Sequence, residues 1–145
     1  MEIYTIGFTQ TTAERFFTRL TDARVERLLD VRLNNTSQLA GFAKAQDLPY
    51  FARELVGAAY EHEPLLAPTQ DILDAYKKRK GDWDAYEREF RVLMESRRIH
   101  EVLSPASFRR RTALLCSEAE PVHCHRRLVV EFLAERWSDV EIAHL

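Results

Sequence analysis

Apolar positions change their spacing several times along the chain, and each change marks an element. The stretch "EIYTIGF" (2–8) is rich in β-branched and aromatic residues and reads as a first strand ending at Gly7. Thr11 to Glu14 then fits a T-x-x-E capping box, and the helix it opens would bury Phe16, Phe17 and Leu20. In "ERLLDVRL" (26–33) Leu28, Leu29 and Val31 form a nearly unbroken apolar run, which predicts a strand buried on both faces, as in parallel sheets. A polar loop (34–42), a short helix opened by Asp47 (47–58) and a brief strand near 58–62 follow. Two helices are predicted at about 69–79 and 82–99, the second starting at Asp82 with Tyr86, Phe90, Leu93 and Met94 at helical spacing. A strand over "RTALLC" (111–116), a helix over 121–137 and a strand over "VEIAHL" (140–145) close the chain.

Alternating strands and helices predict an α/β fold over 1–145. It would be a single domain with a mostly parallel sheet of about five strands flanked by helices, in Rossmann-like layers. Ligands of such sheets bind beyond the carboxyl ends of the strands. Gly7, Asp30 to Arg32 and Cys116 to Glu118 would line that edge.

Composition narrows the setting more than the function. Hydrophobic residues are 46% and charged residues 30% of the chain, an ordinary balance for a globular domain. No apolar run approaches the ~20 residues of a membrane span, and "MEIYTIGF" lacks the basic and apolar regions of a secretory leader. Two cysteines are too few for a disulfide framework, so a cytoplasmic location is expected. A net charge of −2 gives no global attraction to nucleic acid.

Reactive side chains gather in "LLCSEAEPVHCHRRLVVEFL" (114–133). Pro121 suits a first helical position, which would make Glu120 the N-cap and put Cys124 in the first turn. There the helix terminus and His125, Arg126 and Arg127 would favour the thiolate, lowering a pKa of about 8.5 toward roughly 3.5–7.5. Cys124 is thus the candidate nucleophile or redox thiol, and Cys116 a structural or resolving partner. With Leu128, Val129, Phe132 and Leu133 on the buried face, a step of about 100° per residue turns His125 inward as base or orienting group. It also sets Cys124 and Arg126 on the flanks, Arg126 as a holder of substrate anions, and His123 in solvent. A small buried cysteine and a core histidine bonded to a carbonyl remain the alternative.

A structural zinc needs a full tetrahedral ligand set. Adjacent helical side chains diverge and C-x2-C pairs are missing, so no metal is expected, and no cofactor. Arg126 and Arg127 follow Cys124 too closely for a phosphatase-type loop.

Asp30 lies in an apolar strand and must pair with an arginine or with backbone N–H groups, or serve as a base or as the carboxylate orienting His125. Glu118 is a similar candidate, with capping as the alternative. Thr5 and Gly7 end the first strand, where glycine permits either a tight turn or close backbone approach to a ligand. Arg32, Thr5, Gly7 and Cys116 are therefore candidate substrate contacts.

"YTIGFT", "LLDVR", "LNNTSQLAGF" and "LLCSEAEPVHCHRR" together resemble domain-of-unknown-function family 488 over nearly the whole chain. The pattern L-C-x-E-x-x-P-x-x-C-H-R is met by Leu115, Cys116, Glu118, Pro121, Cys124, His125 and Arg126. The resemblance implies a compact α/β domain and brings no settled activity. Phe8 and Thr9 stand where many members carry histidine and serine, and Leu33 to Gly41 replace a Pro/Arg-rich segment. "LLDVR" with a later strand–Cys–helix unit is also loosely similar to rhodanese-like sulfurtransferases, whose active-site loop is longer.

"KKRK" (77–80), "ESRR" (95–98) and "FRRR" (108–111) are local basic runs. As solvated faces they carry no function. Gathered with Tyr76, Trp83 or Phe108 they would track a phosphate backbone. The expectation is a cysteine-dependent enzyme or anion-binding domain. A non-catalytic nucleic-acid-binding module and rhodanese-like sulfur or redox chemistry are the alternatives. The partner would be an anionic small molecule or nucleic acid, with no membrane involved. The oligomeric state is not legible.

Overall fold

The computed structural model describes residues 1–36 and 41–145, so Ser37 to Ala40 of the predicted loop lie outside the described residues. The chain runs β1 (Glu2–Gly7), α1 (Ala13–Asp22), β2 (Arg27–Asp30), α2 (Leu48–Phe51) and β3 (Ala59–His62). It continues through α3 (Gln70–Lys77), α4 (Trp83–Arg97), α5 (Ile99–Val102), β4 (Thr112–Cys116), α6 (His125–Arg136) and β5 (Glu141–His144). The strands form one five-stranded sheet in the order β3-β2-β4-β1-β5, every neighbouring pair parallel. The expected α/β architecture is therefore present. Among the described residues no helix is long and apolar enough to cross a membrane.

The apolar runs follow from burial on both faces. On one face Ile6, Leu28, Ala113 and Leu115 pack with Phe16, Phe17 and Leu20 of α1 and Leu48 of α2. On the other, Ile3, Leu29 and Leu114 pack with Phe90 and Met94 of α4 and Leu128, Val129 and Phe132 of α6. Consecutive strand residues thus serve opposite layers, and neither face has room for polar alternation.

The chain moves from β1 to β2 to β3 toward one edge, then from β4 to β5 toward the other. The connections that leave the adjacent strands β2 and β4 therefore diverge, opening a crevice at their carboxyl ends.

Several boundaries differ from expectation. Thr12, rather than Thr11, caps α1 by accepting from the Arg15 amide at 3.1 Å. The helix expected over 47–58 is α2 followed by a wider turn, Ala52–Val56, which ends at Gly57 with φ 77°. The helix predicted to reach 99 breaks at Arg98, whose φ of 53° is left-handed, and α5 restarts beyond it.

The largest difference is at α6, which starts at His125 rather than at 121. Cys124 is extended, with φ −136° and ψ 137°, and precedes the helix. Its amide closes a turn on the Pro121 carbonyl at 3.1 Å. The carbonyls of Glu118 and Ala119, in the loop ahead of that turn, accept from the Arg126 guanidinium.

Candidate functional site

The site begins with a missing side chain. Gly7 is level with Cys116 in the sheet, and a Cβ built on it would stand 1.8 Å from the Glu118 carbonyl oxygen. Glycine thus lets the loop after β4 fold against the end of β1. Arg126, fully buried, holds that loop by donating from Nη1 to the Glu118 carbonyl at 2.6 Å and from Nη2 to the Ala119 carbonyl at 3.3 Å. Thr9 fixes the preceding residue, its hydroxyl and its amide both donating to the Ser117 carbonyl, at 2.8 and 3.1 Å.

Folded this way, the loop wraps the Cys116 sulfur. Cys116, Cys124 and His125 are all buried, and their donor atoms lie within 4.8 Å of one another. Nε2 of His125 is 2.6 Å from the Val31 carbonyl, which only accepts, so that nitrogen carries the proton. Nδ1 therefore turns its lone pair toward the Cys116 sulfur, 3.6 Å away. The Cys116 thiol is lowered below its ordinary range by hydrogen bonding from Cys124. The charge of Arg126 and the amides of Ser117 and Glu118 add to this, against the cost of burial. The Cys124 thiol is pushed well up, first by burial and then by its neighbour Cys116. The downward shift expected for Cys124 is thereby reversed, because it sits before the helix in an apolar setting.

Three donors in this spacing could take an ion as part of its ligand set. They are one short of a closed structural zinc.

The crevice encloses about 280 Å³. Arg32, Leu33 and Asn34 line it from the end of β2, and Cys116, Ser117 and Glu118 from the end of β4. Tyr76, Trp83 and Tyr86 close the far side with His123. Trp83 stacks on Tyr86 at 4.8 Å and 18°, and its centroid lies 5.0 Å from that of His123.

Asp30 is fully buried and forms a forked pair with Arg32, Nε to Oδ1 and Nη2 to Oδ2 at 2.8 Å each. Nη2 of Arg32 also donates to the Ala43 carbonyl at 2.7 Å. Tyr60 donates its hydroxyl to Asp30, and its phenol is pushed up to about 12, by burial first and then by that bond. Asp30 thus orients Arg32, while the Val31 carbonyl orients His125.

The crevice brings together Cys116, Cys124, His125, Arg32 and Glu118. It does not bring in Arg126, which was expected at the rim and is buried beneath the loop. The reason is the shifted helix start, which turns that guanidinium toward main-chain carbonyls. Thr5 is also buried, bonded to Nδ1 of His144 at 2.6 Å, and is absent from the lining. The carboxylate of Glu118 pairs with Lys77 at 2.7 Å. His123 is exposed, as the wheel suggested. Sequence reasoning assigned Tyr76 and Trp83 only to a nucleic-acid surface and gave Tyr60 and Lys77 no place here. Their positions depend on packing between distant segments, and only the aromatic spacing at the α3–α4 junction hinted at it.

A mostly parallel α/β sheet with a Cys–Cys–His group at its carboxyl edge defines the class. The chain matches the family described as Domain of unknown function DUF488 over residues 12–133, and it belongs to that family. No match was found among curated proteins or among solved structures.

Proposed function

We propose that this chain is a cysteine-dependent enzyme acting on an anionic substrate in the crevice, with Cys116 rather than Cys124 as nucleophile. The carrying observation is the opposite treatment of the two sulfurs. Both are buried, but one is lowered by the donors around it and lies beside the Nδ1 lone pair of His125, while the other is pushed well up. In this reading Nδ1 takes the Cys116 proton and Cys124 keeps its own, hydrogen-bonded to the anion. The sulfur then forms a bond to an electrophilic centre, the leaving group departs with the bonding pair, and His125 returns the proton to it. Asp30 supports through Arg32, Glu118 through its main chain, and Arg126 by holding the loop.

Sulfur-transfer or dithiol redox chemistry would start from the same thiolate. The basic runs favour a nucleic-acid surface less, because Lys77, Lys78 and Arg79 pair with Glu118, Asp74 and Asp71, and Phe108 is buried.

The test is iodoacetamide labelling at neutral pH, mapped by mass spectrometry. Cys116 is expected to label fast and Cys124 slowly, with Cys116→Ser removing the fast phase. About one zinc per chain, retained through purification and lost in Cys116→Ser, would make the cysteines ligands and overturn the reading.

A further inference from the structure

We propose that the crevice binds a small aromatic anion, a flat ring carrying a phosphate or carboxylate. The anionic group would meet Arg32, and the ring would lie against Tyr76, Trp83 and His123. The proposal deepens the enzyme reading by naming its substrate class, and it depends on that reading only for what happens at Cys116.

Arg32 is 4% exposed, and its Nη1 has no hydrogen-bond partner among the described residues. Its Nε and Nη2 are held by Asp30 and by the Ala43 carbonyl, and its plane lies over the Phe8 ring at 5.0 Å. The side chain cannot turn its idle nitrogen to water. A buried donor left without an acceptor is costly, and a pre-oriented guanidinium is the best-matched group for an oxyanion. Other buried arginines carry such an atom, but Arg32 is the one that lines the crevice.

The charge balance agrees. Glu118 is the one carboxylate among the lining residues, and Lys77 neutralises it at 2.7 Å. No unpaired carboxylate therefore opposes an anion there, and Arg32, paired with Asp30 through Nε and Nη2, still has its Nη1 without an acceptor on the β2 side, next to Cys116.

The opposite wall selects for a ring. Tyr76 meets Trp83 edge-on at 5.4 Å and 68°, while Trp83 stacks on Tyr86 at 18° and lies tilted by 31° to His123. Tyr86 is buried behind them, so Tyr76, Trp83 and His123 present aromatic surface to a ligand. The volume of about 280 Å³ falls at the lower limit of ligand pockets, roughly 300–1,000 Å³. It suits one ring system and one charged group, not a dinucleotide or a folded peptide.

Isothermal titration calorimetry on the full chain tests this with phenyl phosphate, benzoate, adenosine monophosphate, phenol and inorganic phosphate. At least one aryl anion is expected to bind about tenfold or more tighter than both phenol and inorganic phosphate. Phenyl phosphate against benzoate tells which anionic group is preferred, and adenosine monophosphate tells whether a nucleobase fits as the ring. Arg32→Gln should weaken the preferred aryl anion by about ten- to a hundredfold, the size of a hydrogen bond to a charged group. Trp83→Leu, at a half-buried surface position, should weaken it without the folding risk of Arg32→Gln. Binding of every aryl anion no tighter than that of inorganic phosphate or phenol, no binding of any aryl anion, or full affinity in folded Trp83→Leu and Arg32→Gln would overturn the proposal. Cys116→Ser should keep the binding while losing fast alkylation, so failure of the nucleophile and failure of the ligand site are read separately.

Discussion

At Gly7 the space for a side chain is already taken by the main chain of Glu118, 1.8 Å from where a Cβ would stand. A carbonyl cannot give way as a side-chain tip can. Gly7→Ala should therefore lift the 117–119 loop and lower stability by about 3 kcal/mol, near the top of the range for overpacking. The urea midpoint reads the first effect. The second is a rise in the pH at which Cys116 alkylates, because the donors around its sulfur move with the loop. Both cysteines and His125 were visible in the sequence as reactive residues. Which thiol is lowered and which is raised was not, since that depends on Cys124 lying outside the helix in an apolar setting. Pro121 fitted a helix start equally well in the sequence, and only the extended backbone of Cys124 and its turn onto the Pro121 carbonyl decide against it.

At the scale of elements, β1 and β4 were legible because a strand covered on both faces must be apolar throughout. β5 was legible as a strand, and its Thr5–His144 contact was not. The His144 imidazole is lowered below its ordinary value, first by burial and then by the positive charge of Arg126, with Arg127 adding to it and Glu131 opposing. Folding thus favours its neutral form. Its contribution is complete above the unfolded pKa, about 6.5, and is lost as pH falls through the lower folded value. The chain should lose stability on acidification from about pH 7 toward pH 5, and His144→Gln should flatten that part of the profile. Urea midpoints across that window check it; an unchanged slope in the variant would place the pH dependence elsewhere.

At the scale of the whole molecule, the pair Asp30–Arg32 ties together β2, the Tyr60 hydroxyl of β3, the Ala43 carbonyl and the crevice. The sequence marked Asp30 as a carboxylate that needed a partner, an arginine among the candidates, and Arg32 as a candidate substrate contact. The strand order that makes the ends of β2 and β4 neighbours is not written in any local pattern, and neither is the aromatic wall. Removing the charge from one member of a buried pair leaves the other uncompensated. Asp30→Asn should therefore destabilise the chain by about 3–5 kcal/mol, and calorimetric binding of the aryl anions should weaken with it. A stable Asp30→Asn protein with full ligand affinity would show that Arg32 needs no support.

The central claim is that the reactive thiolate is Cys116. The rate of iodoacetamide labelling, followed against pH for each cysteine separately by mass spectrometry, tests it most directly. The expected result is a Cys116 midpoint below that of a free cysteine, about 8.5, with Cys124 unreactive through the same range. A Cys116 midpoint at or above that of a free thiol, or faster labelling at Cys124, would contradict the account.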